Sequence, residues 1–151
     1  MKYTAIIVLS LSVILGNAIL SQAEALSVGI VRTVSNEGYI LRNDTLIKAE
    51  INMKVMNGDV VKTGPAGSMG LIFDDDTIVS MGPDSEFLVE DFLFRPAENK
   101  LSFVIRILQG TYSFFSGQIA KLSPGSVRLE TPDATIGMRG THVLVQVKGG
   151  R

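Results

Sequence analysis

The sequence contains no cysteine, no tryptophan and a single histidine, His142. Without cysteine there is no disulfide and no thiol chemistry, so a domain of this composition has to depend on its hydrophobic core. A lone histidine without a Gly-x-Ser-x-Gly segment gives no sign of a Ser-His-Asp triad. The missing tryptophan and the three tyrosines leave few aromatic groups for stacking on sugars. These absences exclude thiol enzymes and argue against the common hydrolases.

Charge is balanced, with a formal net charge of −1 and only 19% charged residues. Nucleic-acid binding usually requires a basic face, so we expect no nucleic-acid partner. The sequence has no phosphate-binding loop of the Gly-x-x-x-x-Gly-Lys-Ser/Thr type. We therefore expect no cofactor and no catalytic residues. At 151 residues the chain is long enough for one domain with a true core.

The N-terminal segment has the pattern of a secretory signal peptide. Lys2 precedes an uncharged stretch over residues 3–23, and Ala23 and Ala25 supply the small residues of a cleavage site. We assign residues 1–25 to a signal peptide, cleaved after Ala25 or after Ala23, and expect a periplasmic or otherwise exported protein. The alternative is an uncleaved anchor, because about 20 apolar residues span a bilayer. Only in that case would the protein be attached to a membrane.

Residues 26–151 are predicted to form one all-β domain. Short apolar runs alternate with clusters of Gly, Pro, Asn and Asp, which is typical of strands and tight turns. The longest clean alternation covers residues 101–108 and predicts a central strand that Gly110 ends. Residues 48–56 predict a loop or an irregular strand, and residues 116–123 allow one or two helical turns. About ten short strands result, in a twisted solenoid-like or sandwich-like fold.

Two groups of short motifs resemble the FecR-type periplasmic domain in its stand-alone form. The groups are Gly58-Asp59, Thr63-Gly64, Asp74-Asp75-Asp76-Thr77 and Pro83-x-Ser85 in the middle of the chain, and Thr131-Pro132, Ala134, Ile136-Gly137 and Arg139-Gly140-Thr141 near its end. In order and spacing the resemblance covers residues 28–147. It implies an all-β domain without catalytic residues that relays signals across an envelope or binds surface partners.

In signal-relay members of that family, a cytoplasmic segment that engages a sigma factor precedes a membrane helix. Here only Met1 and Lys2 precede the apolar run, so we do not expect anti-sigma activity. The resemblance predicts a non-enzymatic exported domain that binds another envelope component, in signal relay or scaffolding. The alternative is a cell-wall glycan- or peptidoglycan-binding module with an exposed aromatic platform. That platform would consist of Tyr39, Tyr112, Phe114 and Phe115.

The acidic run Asp74-Asp75-Asp76 is the candidate for a metal site. Three carboxylates could supply oxygen ligands to Ca²⁺, yet the run lacks the alternating Asp/Asn pattern of a calcium loop. A tight hairpin turn accounts for it without a metal, because Asp tolerates positive φ and hydrogen-bonds its own backbone. We therefore predict a turn and no metal ligands.

The C-terminal residues supply the candidate partner contacts. The alternation over residues 142–148 predicts a last strand. Because the chain stops soon afterwards, we expect an exposed edge that pairs with an envelope protein or with a second copy. The candidate contact residues are Arg139, His142, Leu144 and Gln146.

Two of these candidates also have a simpler interpretation. His142 fits a solvated surface residue, with a pH-sensitive contact as the alternative. Arg139 lies close to Gly137 and Gly140, which could present its guanidinium to a partner's carboxylate. An internal ion pair with Asp133 or Glu130 that locks the turn is the interpretation we favour.

Overall fold

The computed structural model describes residues 26–149, and no helix in that range is long and apolar enough to cross a membrane. The predicted signal peptide, residues 1–25, lies outside the described residues. The described part is a single all-β domain, as the strand-and-turn pattern predicted.

Residues 26–149 contain twelve strands and one short α-helix. They are β1 (Ser27–Ser35), β2 (Gly38–Arg42), β3 (Thr45–Lys48), β4 (Lys54–Met56), β5 (Val60–Thr63), β6 (Ser68–Phe73), β7 (Ile78–Met81), β8 (Glu86–Arg95), β9 (Lys100–Phe115), α1 (Gln118–Leu122), β10 (Val127–Glu130), β11 (Thr135–Gly137) and β12 (His142–Val147). The strands exceed the expected ten partly because β4 and β11 are three-residue strands that pair with β1 and β10. Tertiary pairing of this kind overrides weak local preference.

One strand, β9, belongs to both halves of a curled, half-barrel sheet. Its first half pairs with β8 on one edge and β10 on the other. Its second half pairs with β7 and β12. The strand order through the sheet is β3-β2-β5-β8-β9-β7-β6-β1-β4. β7 and β8 therefore run end to end along one edge of β9, and β12 and β10 lie along the other.

Gly110 is the point at which β9 changes partners. The expectation that Gly110 ends the strand is wrong, since β9 continues through it for 16 residues in all. The φ angle of Gly110 is +111°, in a region that glycine adopts far more easily than other residues. A Cβ at this position would overlap Ser85. Gly110 thus bends the strand so that its two halves can join different parts of the sheet.

The core fills the concave side of the sheet. Its aromatic centre is formed by Phe73, Phe92 and Phe103, whose ring centroids lie 5.0 to 5.7 Å apart. Ile105 and Ile107 continue the buried face of β9, and Val104 on its opposite face is buried as well. Leu108, also on the opposite face, is 37% exposed, so that face of the central strand is covered only in part.

Candidate functional site on the outer face of the sheet

A row of large side chains crosses the convex face of the sheet. Strand register places Ile30 beside Ile72, Ile72 beside Ile78, Ile78 beside Phe115, and Phe115 beside His142. Their chain neighbours on β6, β7 and β9 are buried in the core, so these five side chains point the other way. We call Ile30, Ile72, Ile78, Phe115 and His142 the outer row.

The outer row is most exposed toward β12. Ile78 is 39% exposed and Phe115 is 45% exposed. The rings of Phe115 and His142 stack almost parallel, with centroids 4.1 Å apart and an interplanar angle of 4°. His142 Nε2 lies 2.8 Å from Ser113 Oγ. His142 is exposed, as expected, and these two contacts also fix the orientation of its ring.

The next row along the sheet is formed mainly by small residues. Gly70, Ser80 and Ser113 are paired across β6, β7 and β9, and Leu144 continues the row on β12. Leu144 is 73% exposed. The row next to the outer row therefore consists of small residues as far as Leu144, which lies at the edge of the sheet.

The turn between β6 and β7 places two exposed carboxylates, Asp74 and Asp76, beside the outer row. Asp76 has a φ of 67°, and its Oδ2 accepts a hydrogen bond from Gln118 Nε2 at 2.8 Å. Burial, together with the nearby charge of Asp75, raises the pKa of Asp74 above its ordinary value. The predicted hairpin turn is confirmed. Within residues 26–149 no three acidic or histidine side chains lie close enough to hold a metal ion.

Asp75, between these two residues, is completely buried. Its Oδ1 accepts a hydrogen bond from Thr77 N at 3.1 Å, and its Oδ2 accepts bonds from Thr77 Oγ1 at 2.8 Å and Ile119 N at 3.2 Å. The helix α1 has no side-chain cap from its own N-cap residue, Gly117. Asp75 therefore caps this helix from a distant part of the chain. A capping role across 44 residues has no signal in the local sequence.

A comparison with protein-family models matches residues 59–151 to the family described as FecR protein. The chain belongs to the FecR family. The matched region begins at Asp59, within the first of the motifs identified in the sequence, and includes the C-terminal motifs, so the resemblance is confirmed. Comparisons with curated proteins and with solved structures return no match.

The FecR motifs Thr63-Gly64 and Pro83-x-Ser85 meet at the bend of β9. Thr63 Oγ1 donates to Gly82 O at 2.7 Å and accepts from Ser85 N at 3.0 Å. Ser85 Oγ accepts from Thr111 N at 3.1 Å. These two motifs thus hold the backbone at Thr111, directly after Gly110, which gives them a structural role in this FecR domain.

The Gly58-Asp59 motif forms a second buried polar centre. Asp59 is buried and accepts hydrogen bonds from Arg42 Nε at 2.8 Å, Arg42 Nη2 at 2.6 Å and Met56 N at 2.9 Å. The hydrogen bond to Asp59 raises the pKa of Arg42 above its ordinary value. This bidentate pair joins β2 to the turn before β5, so Asp59 also serves the fold.

The candidate contact residues of this FecR domain lie together at one side of the sheet. His142, Leu144 and Gln146 are exposed on β12, and Arg139 is exposed in the segment before it. Within residues 26–149 Arg139 makes no ion pair, while Glu130 lies 3.5 Å from Arg106. The favoured ion pair of Arg139 with Asp133 or Glu130 is therefore wrong. Of the four candidates, only His142 belongs to the outer row.

The aromatic platform needed for glycan stacking does not form. Tyr112 and Phe114 are buried in the core, and burial raises the pKa of the Tyr112 phenol above its ordinary value. Tyr112 Oη instead donates to Gln109 O at 2.6 Å. Of the four proposed platform residues, Phe115 is exposed on the outer face and Tyr39 is half-buried.

Replacing Asp74 with asparagine should stabilise the protein slightly at neutral pH. The raised pKa means that the folded state binds the Asp74 proton more tightly than the unfolded state. Ionisation therefore weakens folding as pH rises from the ordinary pKa of Asp through the raised one. Because Asp74 is exposed to water, we expect a gain of less than about 1 kcal/mol at pH 7 and none near pH 3. Urea unfolding at the two pH values measures this, and a loss of stability at pH 7 would contradict it.

Proposed function

We propose that this chain is a non-enzymatic, exported FecR domain that binds another envelope protein, in signal relay or scaffolding. The observation that carries the proposal is a group of exposed apolar side chains on the outer face, of the kind that marks interaction sites: Ile78, Phe115 and Leu144 are 39%, 45% and 73% exposed. Membership of a regulatory, signal-transducing family supports the class of partner. The proposal includes a signal peptide over residues 1–25 and a periplasmic location.

The shape of this surface indicates how a partner would fit. Phe115 lies near its centre and is held by its stack on His142, and rigid aromatic groups at the centre of an interface often supply much of the binding energy. Ser80, small and exposed, leaves space beside the outer row for a large side chain from the partner. Asp74 and Asp76 form an acidic rim. A partner with apolar side chains facing Phe115 and basic groups facing the β6–β7 turn complements this surface.

A photoreactive amino acid at Ser80 tests the proposal in intact cells. Ser80 is exposed on the outer face, two residues along β7 from Ile78. We expect irradiation to capture one envelope protein from this position, identified by mass spectrometry. The matched control is the same photoreactive residue at Leu46, which is also exposed but lies on β3, near the other end of the strand order.

Capture from Ser80 but not from Leu46 supports a partner on the outer face. A second variant carries the photoreactive residue at Phe115, so that a partner out of reach of Ser80 is still captured. Equal capture from Ser80 and Leu46, or no capture from either Ser80 or Phe115 in variants that melt like the wild type, would overturn the proposal.

A further inference from the structure

The sheet has four strands with an open edge within residues 26–149, and one of them differs from the rest. β3, β4, β11 and β12 each pair with a single neighbour. The first three have four, three and three residues, while β12 has six. Short edge strands discourage pairing with another chain, whereas a longer apolar edge invites it. β12 is thus the edge of the described domain that is open to another strand.

The backbone groups on the open edge of β12 can be identified from its pairing with β9. Ser116 N donates to Thr141 O at 3.0 Å, so Thr141 forms a hydrogen-bonded pair with Ser116. Hydrogen-bonded and non-hydrogen-bonded pairs alternate along antiparallel strands. His142, Leu144 and Gln146 are therefore the residues whose N–H and C=O groups point away from β9.

We propose that two copies of this chain pair through β12, antiparallel, with Leu144 of one copy opposite Leu144 of the other. In this register His142 lies opposite Gln146 of the second copy, and Gln146 opposite His142. All three open residues then form hydrogen-bonded pairs across a two-fold axis. Shifting the register by two residues in either direction places one of these three residues opposite a residue outside the set. The register centred on Leu144 therefore pairs all three.

The side chains are also complementary to themselves in this register. The two Leu144 side chains, each 73% exposed, cover one another on the outer face. On the inner face Val143 lies opposite Val145 of the second copy, and no residue of β12 faces a like charge. Cross-strand apolar pairs of this kind stabilise sheets, and like charges opposite each other destabilise them.

A cleft lies beside the end of β12. Its volume is about 450 Å³, and it lies between the β10–β11 turn and the end of β12. Ala134, Ile136 and Val145 are among the residues that line it. The proposed register brings Val143 of the second copy opposite Val145, where the cleft supplies an apolar wall. The dimer uses the strand edge, whereas the proposed envelope partner uses the outer row, and Leu144 belongs to both surfaces.

The absence of cysteine makes the register directly testable. A Leu144→Cys variant of the exported full-length protein places two thiols opposite each other on the axis. Residues in a hydrogen-bonded antiparallel pair have Cα atoms about 5.5 Å apart, within the range that a disulfide spans. Under oxidised glutathione we expect L144C to form a covalent dimer. Q146C alone should not form one, while an equimolar mixture of H142C and Q146C should form a mixed dimer.

A second variant keeps the test independent of disulfide chemistry. L144K puts like charges side by side on the axis, and we expect it to weaken dimerisation at least about tenfold in sedimentation equilibrium. Because Leu144 is largely exposed, we expect the L144K variant to melt close to the temperature at which the wild-type monomer melts. Failure of L144C to crosslink, equally efficient crosslinking of Q146C alone, or an unchanged dimer in L144K would each overturn the proposal.

Discussion

Replacing Asp75 with alanine should lower the free energy of unfolding by about 3 kcal/mol or more. The carboxylate is fully buried and accepts hydrogen bonds from Thr77 N, Thr77 Oγ1 and Ile119 N. Its removal leaves these donors inside the protein without their acceptor, and each unsatisfied buried donor costs about 1 to 3 kcal/mol. The β6–β7 turn and the helix α1 would also lose the group that joins them. Urea unfolding followed by circular dichroism measures the change.

The acidic run supplies its own control. Asp76→Asn changes a neighbouring carboxylate that is exposed, and asparagine tolerates the positive φ of that position. We expect this variant to stay within about 0.5 kcal/mol of the wild type. A loss below 1 kcal/mol in D75A, or an equal loss in D76N, would mean that the Asp75 hydrogen bonds do not hold α1 in place.

Replacing Gly110 with alanine should also destabilise the protein by about 3 kcal/mol. Two effects add at this position, the strain of a side chain at a φ of +111° and the overlap of its Cβ with Ser85. Neither is easily relieved, because Thr111 N and Ser85 Oγ are hydrogen-bonded across the bend at 3.1 Å. Thermal and urea unfolding of the purified variant give the size of the loss.

Gly137→Ala is the matched control for this substitution. Gly137 is on β11, and a Cβ there would meet no atom within 4 Å. We expect its stability to change by no more than about 0.5 kcal/mol. If G110A is as stable as G137A, the bend of β9 does not depend on the conformational freedom of the glycine backbone.

The sequence predicted the fold class because turn residues and alternating apolar residues are local signals. Residues 101–108 identified the central strand, and the Asp74-Asp75-Asp76 run identified the β6–β7 turn. Gly110 was misjudged for a physical reason. A glycine in a strand pattern is compatible with an end or with a bend, and only the arrangement of β7, β8 and β12 around β9 distinguishes the two.

The candidate site was only partly accessible from the sequence. The alternation in β12 placed Leu144 and Gln146 opposite the valines that face the core, which is where the structure has them. The outer row could not be found in this way, because it depends on the register of four separate strand pairs. Nothing local indicates that Ile72 lies beside Ile78 and, through it, Phe115.

The sharing of β9 between the two halves of the sheet has a consequence for how the chain folds during synthesis. Before β9 has been synthesised, the earlier strands can pair only among themselves. β7 and β8 then still lack β9 as a neighbour. β8 and β9 form a local hairpin, whereas β7 pairs with residues of β9 that are far away in the sequence, and such long-range pairing is slow. Once β9 has been synthesised, its two halves can pair with β8 and with β7. The sheet therefore cannot be completed until most of the chain has been synthesised.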